Sequence, residues 1–383
     1  MFCRVTCSNE NKLYSILLVA FLLLATAFAY RIFTYYQEPI VNFDFEPLSE
    51  EKIARAAQSY RAQERTIQAG MQGLNNINIA KALNSDVLPQ RKFAGLSAAE
   101  MCETGKAQCV APFAKIRPLI VTAPNHQLMS CIIQKSMSTV VSAIFCFLIR
   151  EKEFVDAGRS ILREYSDIRL CEGRNEFKDV DSMKSGLRLH EEDMNQWRFT
   201  VVTREPVDRF LSGFIDRCIR SGDTCFGCLT NMTCFLEQEY KRATDYAYAD
   251  KQSLLKPWLT NEDIHCFPQN WRCDMEKHYN KYEFIRYSTD PSGTLTEDLS
   301  RILKSQGVEQ ASINYIANSL RSGRTAHTTV SSVARTYLEQ RIRNSPYLME
   351  LIVRLFYSDF VLFKYDLPNL DQIETQIPTT VST

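Results

Sequence analysis

The chain has no surplus of either charge: 45 Lys and Arg offset 45 Asp and Glu. No bulk field recruits nucleic acid, so any polyanion site must be a local cleft. Histidine is scarce, with five in 383 residues. Glycine is missing from Gln134-Lys-Ser-Met-Ser-Thr139, although Lys followed by a hydroxyl residue is the end of a phosphate-binding loop. A nucleotide triphosphatase needs Gly-x4-Gly-Lys-[Ser/Thr] so that backbone can wrap the phosphates, and this chain does not supply it. Sustained apolar heptads are also absent, which argues against a coiled coil. No internal repeat is present.

One long uncharged run, Leu13 to Tyr30, ends at Arg31. At about 1.5 Å per residue it covers roughly 27 Å, close to the hydrocarbon thickness of a bilayer. An uncleaved signal anchor is expected, the alternative being a signal peptide cleaved after Ala27-Phe-Ala29. Arg4 and Lys12 precede the run and Glu38, Asp44, Glu46, Glu50 and Glu51 follow it. That asymmetry predicts a single-pass type II protein with the bulk of the chain in the lumen.

The 13 cysteines agree with an oxidising compartment. Cys3 and Cys7 fall on the cytosolic side, and the odd remainder leaves at least one thiol unpaired. Cys131 and Cys146, in apolar segments, are expected to be buried free thiols. Disulfides are expected among Cys102, Cys109, Cys171, Cys218, Cys225, Cys228, Cys234, Cys266 and Cys273, with connectivity open. Cys225 and Cys228 have a zinc-ligand spacing, but no second Cys-x2-Cys follows, so no metal is expected. Asn231-Met-Thr233 is an N-glycosylation sequon.

The organisation read from these signals is a cytoplasmic tail over 1–12, a transmembrane helix over 13–30, a polar stem over 31–112 and one large α/β domain over 113–368. A tail over 369–383, rich in Thr and Pro, is expected to be disordered. The stem contains one charged helical stretch, Glu51 to Ala69. In the domain, strands are expected at Leu119 to Ala123, Ser130 to Ile133, Phe199 to Val202 and Phe284 to Tyr287, with helices from Thr139 and Asp208.

Two segments carry the candidate chemistry. Cys131 to Thr139 and Phe199 to Phe214 each read as a strand, a polar loop and a helix start, which aims backbone N–H groups, a dipole end and a side-chain cation at one point. In the first loop, Lys135, Ser136, Ser138, Thr139 and the helix N-terminus suit a small anionic group; a solvated Lys135 and an N-capping Ser138 are the bland reading. In the second, Arg204 and Ser212 can converge on a phosphate, because arginine offers a planar fork of donors. An ion-pair cluster among Arg204, Glu205, Asp208 and Arg209 is the alternative.

Together the pair resembles the Golgi carbohydrate sulfotransferases, particularly the branch with the chondroitin 4-O-sulfotransferases, the HNK-1 sulfotransferase and nematode relatives. Arg204, Glu205, Pro206, Asp208, Arg209 and Ser212 match that family's second loop, and Lys135, Ser138 and Thr139 match its first. Tyr282-Glu-Phe-Ile-Arg286 and Phe356-Tyr-Ser-Asp-Phe-Val-Leu-Phe-Lys-Tyr365 are further similarities. The resemblance implies a P-loop-like sulfotransferase fold, with a central, mainly parallel sheet flanked by helices. It implies 3′-phosphoadenosine 5′-phosphosulfate as donor, a glycosaminoglycan or glycoprotein glycan as acceptor, and no metal. Lys135, Ser136, Met137, Ser138 and Thr139 would hold the 5′-phosphosulfate, and Arg204, Arg209 and Ser212 the 3′-phosphate. Gln134, Met137 and Val140 depart from the family pattern; the bulky Met137 stands where a small residue is usual, so a catalytically weakened relative is an alternative.

In-line displacement at sulfur needs a cation at the leaving phosphate oxygen and a base at the acceptor hydroxyl. Lys135 suits the first role. For the base, His190 is favoured over His126, His265, His278 and His327, with Glu191 and Glu192 as carboxylate candidates. A competing Golgi glycosyltransferase reading would use Asp179-Val-Asp181 as a metal-binding Asp-x-Asp motif, but no apolar strand leads into it.

Overall fold

The computed structural model describes residues 47–59, 61–62, 88–116, 119–164, 169–249, 258–287, 293–322 and 333–375, with Phe21, Ala25 and Thr26. The chain divides into Met1–Asp44 and Phe45–Thr383, and the fold described is that of the second unit. The run Leu13 to Tyr30 lies almost wholly outside the described residues, among which no helix is long and apolar enough to cross a membrane.

The sheet has five strands in the order β3-β1-β2-β4-β5: β1 Ile120–Ala123, β2 Leu128–Cys131, β3 Glu176–Phe177, β4 Arg198–Arg204 and β5 Tyr282–Tyr287. β2, β4 and β5 are parallel, whereas β1 pairs antiparallel with both β2 and β3. The sheet is therefore mixed rather than mainly parallel. Only a short turn separates β1 from β2, and two strands so joined must run antiparallel. The helices used below are α1 Ala98–Glu103, α2 Ser138–Ile149, α3 Pro206–Phe214, α4 Met232–Tyr248, α5 Asn261–Cys266, α6 Thr294–Ser305, α7 Gln310–Ser322, α8 Val333–Arg343 and α9 Pro346–Leu362.

β2 is buried at every position, as a central strand covered on both faces must be. α2 is also apolar nearly all round, with Val140 to Leu148 buried, the pattern of a helix inside a core. It packs with α6 and α7 against the sheet face that carries Val202 and Ile285. Alternation along β5 turns Phe284 to the opposite face, where it meets Tyr279 and Phe363. A second apolar cluster joins α3, α4 and α9.

Residues expected to belong to the stem enter this second cluster. Ala98, Met101, Ala107 and Val110 are buried in it, α1 has a full capping box from Ser97 and Glu100, and buried Arg91 pairs with Glu350. Residues from 88 onward thus pack with the α/β domain. At the other end, Leu370–Thr375 forms a short helix with Leu370 buried, inside the segment expected to be disordered. Residues 50–59 are helical, and Leu48 and Ala56 pack on the α2 cluster.

The cysteine assignment needs correction. Cys131 and Cys146 are not free: Cys131 bonds Cys273 across 142 residues and Cys146 bonds Cys171. An apolar neighbourhood suits a half-cystine as well as a thiol, so sequence context could not separate them. Cys102–Cys109, Cys218–Cys225 and Cys228–Cys234 complete the set, and Cys266 is the free cysteine among the described residues. The latter two bonds use Cys225 and Cys228, the pair with zinc-ligand spacing. Burial pushes the Cys266 thiol well up, so it should resist alkylation in the folded protein and react on unfolding. Peptide mapping after labelling with and without denaturant checks this, and labelling of Cys131 or Cys146 in unreduced protein would contradict the pairing. Removing Cys131–Cys273 should cost about 5 kcal/mol on loop length alone.

Candidate active site

β2 and β4 are parallel neighbours, so the loops that leave their C-terminal ends emerge side by side. The first runs from Ile132 to Met137 and enters α2 through Met137 in the left-handed region, φ 60°, with no side chain capping the first turn. Ser138 is thus the first helical residue and not the N-cap. The second loop is a tight passage: Glu205 caps α3 by accepting from the Asp208 amide, and Pro206 opens the helix.

Lys135 and Arg204 converge. The Arg204 guanidinium donates through Nη1 to the Lys135 carbonyl at 3.1 Å and lies over the Tyr287 ring, 4.8 Å from its centroid. Its Nε and Nη2 are buried with no hydrogen-bond partner among the described residues. The expected ion-pair cluster does not consume it, because Asp208 and Glu205 are taken by Arg335 and Arg343 of α8. A buried cation with free donors is costly unless an anion arrives to meet it. Ser212, also buried, likewise makes no side-chain hydrogen bond within the described residues.

Lys135 Nζ lies 2.5 Å from Asp216 Oδ2, and both side chains are nearly enclosed. Burial pushes the ammonium well below its ordinary value, the guanidinium groups of Arg220, Arg204 and Arg217 push the same way, and Asp216 is the counterion that offsets them. Asp216 sits on the π-helical turn Ile215–Arg220 that continues α3, held by Cys218–Cys225. Such turns are common at functional sites.

Other expected site residues have different work. Ser136 is buried and its hydroxyl bonds Gln269 Oε1. Arg209 is a strut: Nε donates to the Gln134 carbonyl at 3.1 Å and Nη1 to the Phe267 carbonyl at 2.8 Å. Neither is presented to a phosphate in the way Arg204 is. Ser138 and Thr139 remain half-buried on the open first turn of α2. His190 is exposed in the segment that feeds the beginning of β4, about 20 Å of strand from Arg204 at the other end. It is not part of this cluster. Asp179 caps the helix Val180–Gly186 with Ser182, and exposed Asp181 reaches Lys277, so the Asp-x-Asp pair does not converge on a metal. Among the described residues no group of His, Cys, Asp or Glu is arranged to hold one.

Residues 118–366 match the Sulfotransferase family. The chain belongs to that family. Three nematode proteins of Caenorhabditis elegans are similar to it. "Uncharacterized protein C18B2.2" is 41% identical over 301 residues, 77% of this chain and 82% of the relative. "Putative sulfotransferase vep-2" is 34% identical over 310 residues, 79% and 92%. "Carbohydrate sulfotransferase chst-1" is 30% identical over 265 residues, 67% and 78%. No solved structure matches.

In this sulfotransferase the unusual Met137 is accommodated. It lines a small apolar cavity of about 20 Å³ with Val140, Val141, Ile144, Val202, Ile285 and Leu295, between α2 and the sheet.

No local signal in the chain marks Gln269 as part of the site. Fully buried, its side-chain oxygen accepts from the Ser136 hydroxyl and the Arg204 amide, while its nitrogen donates to the Arg204 carbonyl at 2.8 Å. Gln269→Leu should destabilise the protein by about 1–3 kcal/mol for each buried group left unpaired. Urea unfolding measures it, and a midpoint equal to wild type would remove Gln269 from the framework of the site.

Proposed function

We propose that the chain transfers a sulfuryl group from 3′-phosphoadenosine 5′-phosphosulfate to a glycan hydroxyl. The observation that carries this reading is Arg204, a buried guanidinium with two unpartnered nitrogens beside Lys135. Arg204 and Ser212 would bind the 3′-phosphate, and Lys135 with the uncapped start of α2 would bind the 5′-phosphosulfate. Charge developing on the leaving phosphate oxygen would be met by the Lys135 ammonium, drawn from Asp216 as the donor enters. No step requires a metal. A chondroitin-type glycosaminoglycan is the favoured acceptor, in keeping with the sequence resemblance, and the similarity to "Carbohydrate sulfotransferase chst-1" supports a carbohydrate. A Golgi-membrane, type II topology would place this chemistry in the lumen.

The direct test is incubation with labelled donor and a panel of chondroitin, dermatan, heparan and N-acetyllactosamine acceptors, followed by disaccharide analysis. Lys135→Ala should lower single-turnover transfer roughly a hundredfold or more with a smaller effect on donor binding. Lys135→Arg should restore only part, since a planar fork does not place charge where an ammonium does. Arg204→Ala should weaken binding of the 3′,5′-bisphosphate product by about 1.5–3 kcal/mol per charged hydrogen bond. Unchanged product affinity by calorimetry in folded protein would sink the second-loop assignment.

The lumenal topology has its own check at Asn231. Its side-chain oxygen accepts from the Cys234 amide and caps α4. Asn231→Asp and Asn231→Gln should both abolish a glycosidase-sensitive gel shift, while only Gln should also lose about 1 kcal/mol of capping. A wild-type protein with no shift would contradict the lumenal placement of this loop.

A further inference from the structure

We propose that His265 is the group that takes the proton from the acceptor hydroxyl, an assignment that rests on the sulfuryl-transfer reading. His190 and His126 belong to segments that enter β4 and β2 at the ends remote from the two loops, and His278 packs near Phe199 at the start of β4. His265, in the last turn of α5, is beside the loops instead. Its carbonyl would lie 3.3 Å from a Cβ built at Gly213, the neighbour of Ser212, and the next two carbonyls, Cys266 and Phe267, receive Arg209. The chain then leads directly to Gln269.

One hydrogen bond fixes the tautomer of the ring. Nδ1 lies 2.6 Å from the Asn261 carbonyl. A carbonyl only accepts, so Nδ1 carries the hydrogen and Nε2 keeps its lone pair. No hydrogen bond to Nε2 is present within the described residues, and the ring is only half-buried. Burial and the Lys135 ammonium, with Arg217 and Arg272 behind them, push its pKa down to about 3 against the opposing Asn261 hydrogen bond. The imidazole is neutral at physiological pH, the form that can accept a proton.

The charges around α5 define how this changes on binding. The π-helical turn contributes Asp216, Arg217 and Arg220, α3 contributes Arg209, and α4 contributes Glu239 and Arg242, the last paired with Asp263 of α5 itself. Lys135 is the nearest site of added negative charge when a phosphosulfate binds. That charge would offset the Lys135 contribution, while burial, the larger cause, remains, so the base is strengthened when donor is in place. The acceptor O–H proton passes to Nε2 as the acceptor oxygen forms its bond to sulfur. The bond from sulfur to the phosphate oxygen breaks, its electron pair stays on that oxygen beside Lys135, and His265 later releases its proton to water.

The test uses full-length protein in detergent, with His265→Gln and His265→Ala. Single-turnover transfer should fall about a hundredfold or more in both, with the affinity for 3′-phosphoadenosine 5′-phosphate within about twofold of wild type. Added imidazole should restore part of the rate to His265→Ala, which a purely structural role would not allow. By NMR, the wild-type ring should gain at least about tenfold in proton affinity when the bisphosphate binds. Near wild-type transfer by His265→Gln, loss of bisphosphate affinity together with rate, or absence of imidazole rescue would each overturn the assignment. If wild-type protein binds the bisphosphate but sulfates no glycan, the sulfuryl-transfer reading fails on its own. The ring titration then still judges His265, and a proton affinity unmoved by the bisphosphate rejects it.

Discussion

Gln269 commits both ends of its amide to the space between the two loops: its oxygen to Ser136 and the Arg204 amide, its nitrogen to the Arg204 carbonyl. Parallel pairing of β2 and β4 brings the loops side by side, but strand ladders stop at Cys131 and Arg204. Beyond them the bonds given between the two loops run through side chains. Gln269 is itself held, since Asp359 of α9 accepts from the backbone amides of Gln269 and Asn270 and from the Asn270 side chain. The site is thus suspended from α9 through two buried polar residues, and a fully satisfied network of this kind rigidifies its surroundings.

The same region concentrates buried charge. Lys135 with Asp216, Arg204, Arg209 and Arg272 occupy one neighbourhood, and burial lowers the pKa of all four cations. Arg209 commits two of its three nitrogens to backbone carbonyls and leaves Nη2 unmatched, whereas Arg204 commits one and leaves two unmatched among the described residues. This inequality distinguishes a structural cation from one prepared for a ligand. Both arginines look alike in the sequence, one turn apart in the same motif, and only their partners tell them apart.

Local features were legible in the chain. The strand, loop and helix order around Lys135 and Arg204 follows from apolar runs broken by polar residues and Pro206, and the structure has both units, with boundaries displaced by one or two residues. Features that depend on distant partners were not legible. Asp216, Gln269, Asp359 and Arg335 act across the fold, and nothing in their immediate neighbours marks them. The packing of residues 88 to 112 on the second cluster was not legible, because they bury only scattered side chains and no periodic apolar pattern announces them. His190 looked suitable because it lies just before β4 in sequence, yet a parallel strand separates its two ends by its whole length. The left-handed Met137 escaped notice for a related reason: a large side chain at a tight turn reads as an obstruction until the cavity that receives it is seen.

The Cys131–Cys273 bond joins the end of β2, where the first loop begins, to the turn that leads into β5. During synthesis Lys135 and Arg204 leave the ribosome long before Cys273, and Asp359 leaves later still. Neither loop can acquire its final supports while the nascent chain is short. The order of translation therefore makes this site among the last parts of the domain to mature, and a partly made chain carries the binding motifs without the geometry that gives them meaning.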